Sequence, residues 1–134
     1  LSGVYKRNRS LSSCQFYMGS VKVRAEVIRL SASNAIPKSQ RFTFVQPMCM
    51  SARDAVYNIV RSNAFYPNTD ENVYWRKYYL TLAIADLNML LQDMQCLLVS
   101  GSNVSPSRLE RIVEMIDDEV VLLKATRNKV KKVR

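Results

Sequence analysis

The sequence predicts an all-α fold, an antiparallel up-down-up-down four-helix bundle. Three observations carry that reading. Glycines and prolines are scarce, three and four in 134 residues, too few for a many-turned β fold. Apolar residues recur at spacings of three and four through four stretches, the signature of amphipathic helices. The breaks between those stretches are mostly short, which sets successive helices side by side in opposite directions. With 48% apolar residues, the chain has enough to bury one core and fits one domain.

Residues 1–11 form a basic arm carrying Lys6, Arg7 and Arg9, with little to bury. The first helix is expected over about 12–32, capped by Ser12 or Ser13. Cys14, Met18, Val21, Ala25, Ile28 and Ala32 share one helical face. Asn34, Pro37, Lys38, Ser39 and Gln40 then break the pattern, and Arg41, Phe42, Thr43 and Phe44 read as extended. Pro47 suits the first turn of a second helix over about 46–63, whose face is Cys49, Ala52, Val56 and Ile59.

Residues 64–69 turn the chain. Asn68 or Thr69 caps a third helix over about 70–99, with Asp70 and Glu71 at its positive end. Val73, Leu80, Ile84, Leu87, Leu91, Met94 and Leu98 form its seam, broken once at Lys77. Ser100, Gly101, Ser102 and Asn103 make a turn, and Ser105 followed by Pro106 starts a fourth helix over about 106–130. Leu109, Val113, Ile116, Val120, Leu123 and Val130 form that seam, broken once at Arg127.

Histidine is absent, which removes the commonest general base and nitrogen ligand. No glycine-rich phosphate loop and no Ser/His or Cys/His pairing exists, so no catalysis, cofactor or metal is expected. Cys14, Cys49 and Cys96 have neither ligand nor redox-motif spacing and read as buried thiols in a reducing compartment. The polar start and the lack of any apolar run near membrane length point to a cytoplasmic protein without a membrane partner. Glu110, Glu114, Asp117, Asp118 and Glu119 on the fourth helix read as a solvated charged face, the first two paired with Arg111 or lysines.

Twenty Lys and Arg stand against eleven Asp and Glu, a net charge of +9. Residues 1–63 hold ten of the basic residues and only Glu26 and Asp54 as acids. Such a surplus favours RNA, DNA or another polyanion as partner. The basic groups fall in three sets: the arm; Lys38 and Arg41 beside Phe42 and Phe44; and residues 124–134, with Arg127, Lys129, Lys131 and Lys132. In an antiparallel bundle Arg76 and Lys77 lie near the third set, with Tyr74, Trp75, Tyr78 and Tyr79 in the same two turns. Cations interleaved with aromatics suit phosphate contacts and base stacking. Covering the open end of the bundle or joining two subunits suits the same aromatics equally. Lys77 and Arg127 interrupt core seams, where an unpaired charge is costly. The bundle splays there, the side chains snorkel outward, or a charged partner meets them.

The run Ser62, Asn63, Ala64, Phe65, Tyr66, Pro67, Asn68, Thr69 resembles the Avd-like four-helix-bundle proteins, accessory variability determinants of diversity-generating retroelements. So do Arg76, Lys77, Tyr78, Tyr79; Ala83, Ile84; and Leu90, Leu91, Gln92, Asp93, Met94, Gln95. Ile112, Val113, Glu114, Met115, Ile116 and Leu122, Leu123, Lys124 follow in the same order, as do Tyr5, Lys6, Arg7, Asn8, Arg9, Ser10 and Ile36, Pro37, Lys38, Ser39, Gln40, Arg41, Phe42 earlier. Leu80 departs from the pattern, which has Gln after the basic-Tyr motif. The resemblance implies a ring-like homo-oligomer, a pentamer in the family, that binds a reverse transcriptase and template RNA and supports mutagenic cDNA synthesis. The alternative is a protein–protein scaffold or oligomerisation bundle with a basic docking surface and no specific nucleic-acid role.

Overall fold

The computed structural model describes residues 14–100 and 102–133. The basic arm and the caps expected at Ser12 and Ser13 lie outside the described residues. Among the described residues there are four α-helices and no strand. They are α1 (Gln15–Ser31), α2 (Gln46–Asn63), α3 (Asp70–Val99) and α4 (Pro106–Asn128).

Local chemistry explains the boundaries. Thr69 is extended and its hydroxyl accepts the Asn72 amide at 3.1 Å. Ser105 likewise accepts the Arg108 amide at 3.2 Å, with Pro106 at the first helical position. Such caps contribute about 1 kcal/mol each. At the other end of α4 the Lys129 amide still bonds the Ala125 carbonyl at 3.1 Å, but the Val130 amide turns to Arg127. The helix therefore ends two residues before the periodicity suggests.

Arg41, Phe42, Thr43 and Phe44 are not extended. A 3₁₀ turn, Lys38–Gln40, leads into a π turn, Arg41–Val45, that runs straight into α2. The consecutive residues Phe44 and Val45 both pack against the core, while Phe42 is exposed. Helical backbone brings two neighbouring side chains inward; a strand would send one of them out.

Each helix packs on the next in sequence, and α1 closes on α4. One core results, from Val23, Val27 and Leu30 on α1 through Met48 and Ile59, Leu80, Leu87, Leu90 and Leu97, to Ile112, Ile116 and Leu123. Three faces differ from expectation. On α1 the core line is Phe16, Ser20, Val23, Val27 and Leu30, not the face through Met18 and Ile28. The two lines are displaced by two residues, about 200° around the helix. Both have regular spacing, and Ile28 stays 51% exposed. Toward the end of α3 it is Leu90 and Leu97 that are buried, while Leu91 is half-buried and Leu98 exposed, and on α4 Ile112 is buried while Val113 is half-buried.

Polar groups enter the core at two places. Asn58 on α2 donates to the Asp86 carboxylate on α3 at 2.6 Å, and Arg61 donates to the Asn58 carbonyl oxygen at 2.9 Å. Burial raises the Asp86 pKa despite that bond. Glu119 does not belong to a solvated face. It is 3% exposed, and it occupies the core line of Ile112, Ile116 and Leu123. Its Oε2 has no hydrogen-bond partner among the described residues, and its carboxyl fills the space where a side chain at Gly19 would stand. Burial pushes its pKa up to about 8, so it is mostly protonated at neutral pH.

Two further expectations are corrected. By length and composition α3 could cross a membrane, since an 18-residue window of it reaches mean hydropathy 1.3. Asp86, Asn88, Gln92 and Asp93 are dispersed through the apolar sequence rather than bounding it, and its buried leucines pack against α2 and α4. The thiols are not buried as a set. Cys14 and Cys49 are half-buried, with the Cys49 Sγ 3.1 Å from the Ser31 hydroxyl, and Cys96 is exposed.

Candidate nucleic-acid interface

The site lies where the first turns of α3 meet the last turn of α4. The turn before α3 is built by its own side chains. The Asn68 amide bonds the Tyr66 carbonyl at 2.8 Å, and the Asn72 side-chain amide donates to Tyr66 O at 2.9 Å and to Asn68 Oδ1 at 3.1 Å. The segment after α4 is fastened to the same turn. The Val133 amide donates to the Pro67 carbonyl at 2.7 Å, and the Lys132 ammonium lies 4.0 Å from the Asp70 carboxylate. That pair is exposed and screened by solvent.

The aromatics form a connected cluster. Phe65 stacks on Tyr79, ring centroids 5.7 Å apart, and on Trp75 at 6.3 Å. Tyr74 and Tyr78 each meet Trp75 edge-on at 5.1 and 5.5 Å, and they stack on each other at 6.2 Å. Trp75 and Tyr79 are half-buried, which makes them the inner layer. Tyr74 and Tyr78 are 59% and 41% exposed, so they present ring surface outward. Held by neighbours, these rings lose little entropy on meeting a flat ligand.

The cations differ in freedom. Arg76 is half-buried, donates to the Phe65 carbonyl at 3.1 Å, and has its pKa lowered by burial. It holds the turn carrying Phe65 against α3. Lys77 is half-buried, one turn before Thr81, whose hydroxyl bonds the Lys77 carbonyl at 2.9 Å. Arg127 reaches the same Thr81 hydroxyl at 3.4 Å and Asn128 at 3.2 Å. Both charges that interrupt the seams are therefore at one end and partly solvated. Lys129, Lys131 and Lys132 are exposed around them.

Lys6, Arg7 and Arg9 lie outside the described residues. Lys38 and Arg41 are exposed on the connection between α1 and α2. The Asn103 amide donates to the Ala35 carbonyl at 3.2 Å, which seats that connection beside the turn between α3 and α4. From Tyr79 to that end of α3 is about 30 Å of helix. These two residues do not share a patch with Arg127.

One basic feature was not anticipated. The guanidinium groups of Arg24 on α1 and Arg53 on α2 lie 5.6 and 5.4 Å from the ring centre of Tyr57. Arg53 and Tyr57, four apart on α2, were the only sequence hint, because Arg24 arrives through tertiary packing. Phe65 also escaped notice as the partner that backs Trp75 and Tyr79.

Among the described residues no three Cys, Asp or Glu side chains converge as a metal site would require. No family model, curated protein or solved structure matches this chain.

Proposed function

We propose that this chain is a non-catalytic, nucleic-acid-binding accessory protein of a diversity-generating retroelement. It binds the element's reverse transcriptase and template RNA and supports mutagenic cDNA synthesis. The observation that carries the reading is the exposed Tyr74 and Tyr78 rings on the stretch of α3 that holds Lys77 and that Arg127 reaches at Thr81 and Lys132 at Asp70, with Lys129 and Lys131 exposed between those two cations in the chain. Rings of this kind stack on unpaired bases while the ammonium and guanidinium groups meet phosphates. The resemblance to Avd-like proteins supplies the biological setting.

The same reading includes an antiparallel up-down-up-down bundle assembled as a ring-like homo-oligomer, a homopentamer. The bonds from Val133 to Pro67 and from Asn103 to Ala35 favour that helix order. A second apolar line on α1, with Met18 and Ile28 exposed along it, favours burial against another subunit. Those exposed apolar residues also favour the second reading, a scaffold whose basic surface docks an acidic protein.

Titrating labelled single-stranded RNA and DNA against the protein at several salt concentrations separates the two. The nucleic-acid reading expects affinity to fall with salt, each neutralised phosphate adding about −0.7 to the log–log slope for a single strand. The scaffold reading expects a stable oligomer with weak binding that does not depend on Tyr74 or Tyr78.

A further inference from the structure

Away from the basic end, the outer surface of α3 and α4 changes character. A groove of about 540 Å³ runs between the last turns of α3 and the first turns of α4. Its floor is apolar, with Leu91, Leu98, Leu109 and Val113, and Glu110 and Glu114 stand on its rim. No Lys or Arg lines it, and none occurs anywhere in residues 80–99. In a chain of net charge +9, this is a local reversal of sign.

Among the described residues the two carboxylates make no ion pair. Glu110 and Glu114 are exposed and one helical turn apart. The ion pairs among the described residues use Glu26, Asp54 and Asp70 instead. Arg111, the partner expected from sequence, turns to Glu26 on α1 at 3.3 Å. The apolar surface also runs past the groove, because Leu98 is 50% exposed and Val99 more so.

We propose that this groove is a docking site for a basic amphipathic helix of a partner protein. A furrow between two packed helices matches the ridge of a third, so apolar residues at i, i+3, i+4 and i+7 seat on Leu91, Leu98 and Val113. Lysines or arginines flanking that ridge pair with Glu110 and Glu114, which set orientation and repel acidic helices. The carboxylates also exclude phosphates, so the groove is no extension of the nucleic-acid surface. The proposal stands independently of the nucleic-acid reading.

The test uses the full chain and a fluorescent synthetic peptide of about 18 residues, with leucines at the ridge spacing and lysines elsewhere. The control has glutamates in place of the lysines. Anisotropy should show saturable binding of the Leu/Lys peptide, whereas the Leu/Glu peptide, an anion that the basic end attracts, should show only binding that Leu98→Asp leaves unchanged. Glu110→Gln with Glu114→Gln, both at exposed positions, should weaken binding about tenfold, and Leu98→Asp should do the same with unchanged circular dichroism. Lys129→Gln with Lys131→Gln should leave peptide binding unaltered. No binding of the Leu/Lys peptide, loss of Leu/Glu binding on Leu98→Asp, or indifference of Leu/Lys binding to the Glu110 and Glu114 changes would overturn the proposal. Self-association of the chain abolished by Leu98→Asp would assign the groove to a second copy and overturn it too.

Discussion

The Val133 amide bonds the Pro67 carbonyl at 2.7 Å, tying the chain after α4 to the turn before α3. One backbone bond thus holds the lysine-rich segment beside the aromatic cluster. Exposed lysines on an unanchored tail would offer charge alone. Anchored here, the segment brings Lys132 within 4.0 Å of the Asp70 carboxylate, one helical turn before Tyr74, with Lys129 and Lys131 exposed just ahead of it in the chain.

Replacing Tyr74 and Tyr78 together by alanine should lower affinity for single-stranded RNA. Stacking contributes about 1–3 kcal/mol per base, so a tenfold loss or more is expected, with the salt slope unchanged because no cation is removed. Both rings are exposed, so thermal unfolding should shift little. Anisotropy titrations paired with circular dichroism check this.

Arg76 should behave differently from the lysines. Arg76→Ala removes the donor to the Phe65 carbonyl and a half-buried side chain. Denaturant unfolding should show a loss of about 1–3 kcal/mol. The lysine variants should lose RNA affinity without losing stability.

Gly19 and Glu119 should be coupled. Adding a methyl group at Gly19 pushes into the Glu119 carboxyl, so Gly19→Ala should destabilise the wild-type chain. In an Glu119→Ala background the same change should stabilise it by about 0.5–1 kcal/mol, the helix preference of alanine over glycine. A double-mutant cycle measured by urea unfolding reads the change of sign.

Glu119 also sets a pH dependence. Its folded pKa, about 8, lies above the ordinary carboxyl value of 4.5. The folded state therefore holds the proton more tightly, and stability is greatest below the ordinary value. It falls as pH rises between about 4.5 and 8 and levels off beyond. Burial shifts Asp86 and Asp93 in the same direction. Glu119→Gln should flatten the curve, stabilising the protein by about 2 kcal/mol or more at pH 9 and little at pH 5.

Helix positions were legible because their punctuation is local. Thr69, Ser105 with Pro106, and Pro47 mark starts that depend on neighbouring residues only. Which side of a helix faces the core depends on the other helices. On α1 two regular apolar lines compete, and the buried one passes through Ser20, a polar residue whose hydroxyl bonds the Tyr17 carbonyl at 2.6 Å. Glu119 was hidden among four other carboxylates, and only the packing of α1 against α4 removes it from water. The meeting of Arg127 with the first turns of α3 followed from helix lengths and order. The roles of Phe65 and Arg76 did not, because a side chain reaching back across a turn leaves no periodic trace.

The central claim is that the lysines beside the aromatic cluster neutralise nucleic-acid phosphates. The most direct test compares labelled single-stranded RNA binding, across a salt series, for the wild-type chain and the triple variant Lys129→Gln, Lys131→Gln, Lys132→Gln. Binding should be tight at low salt, with a log–log salt slope shallower in the variant by about 0.7 for each lysine engaged. No binding at low salt, a flat salt response, or an identical slope in the variant would contradict it.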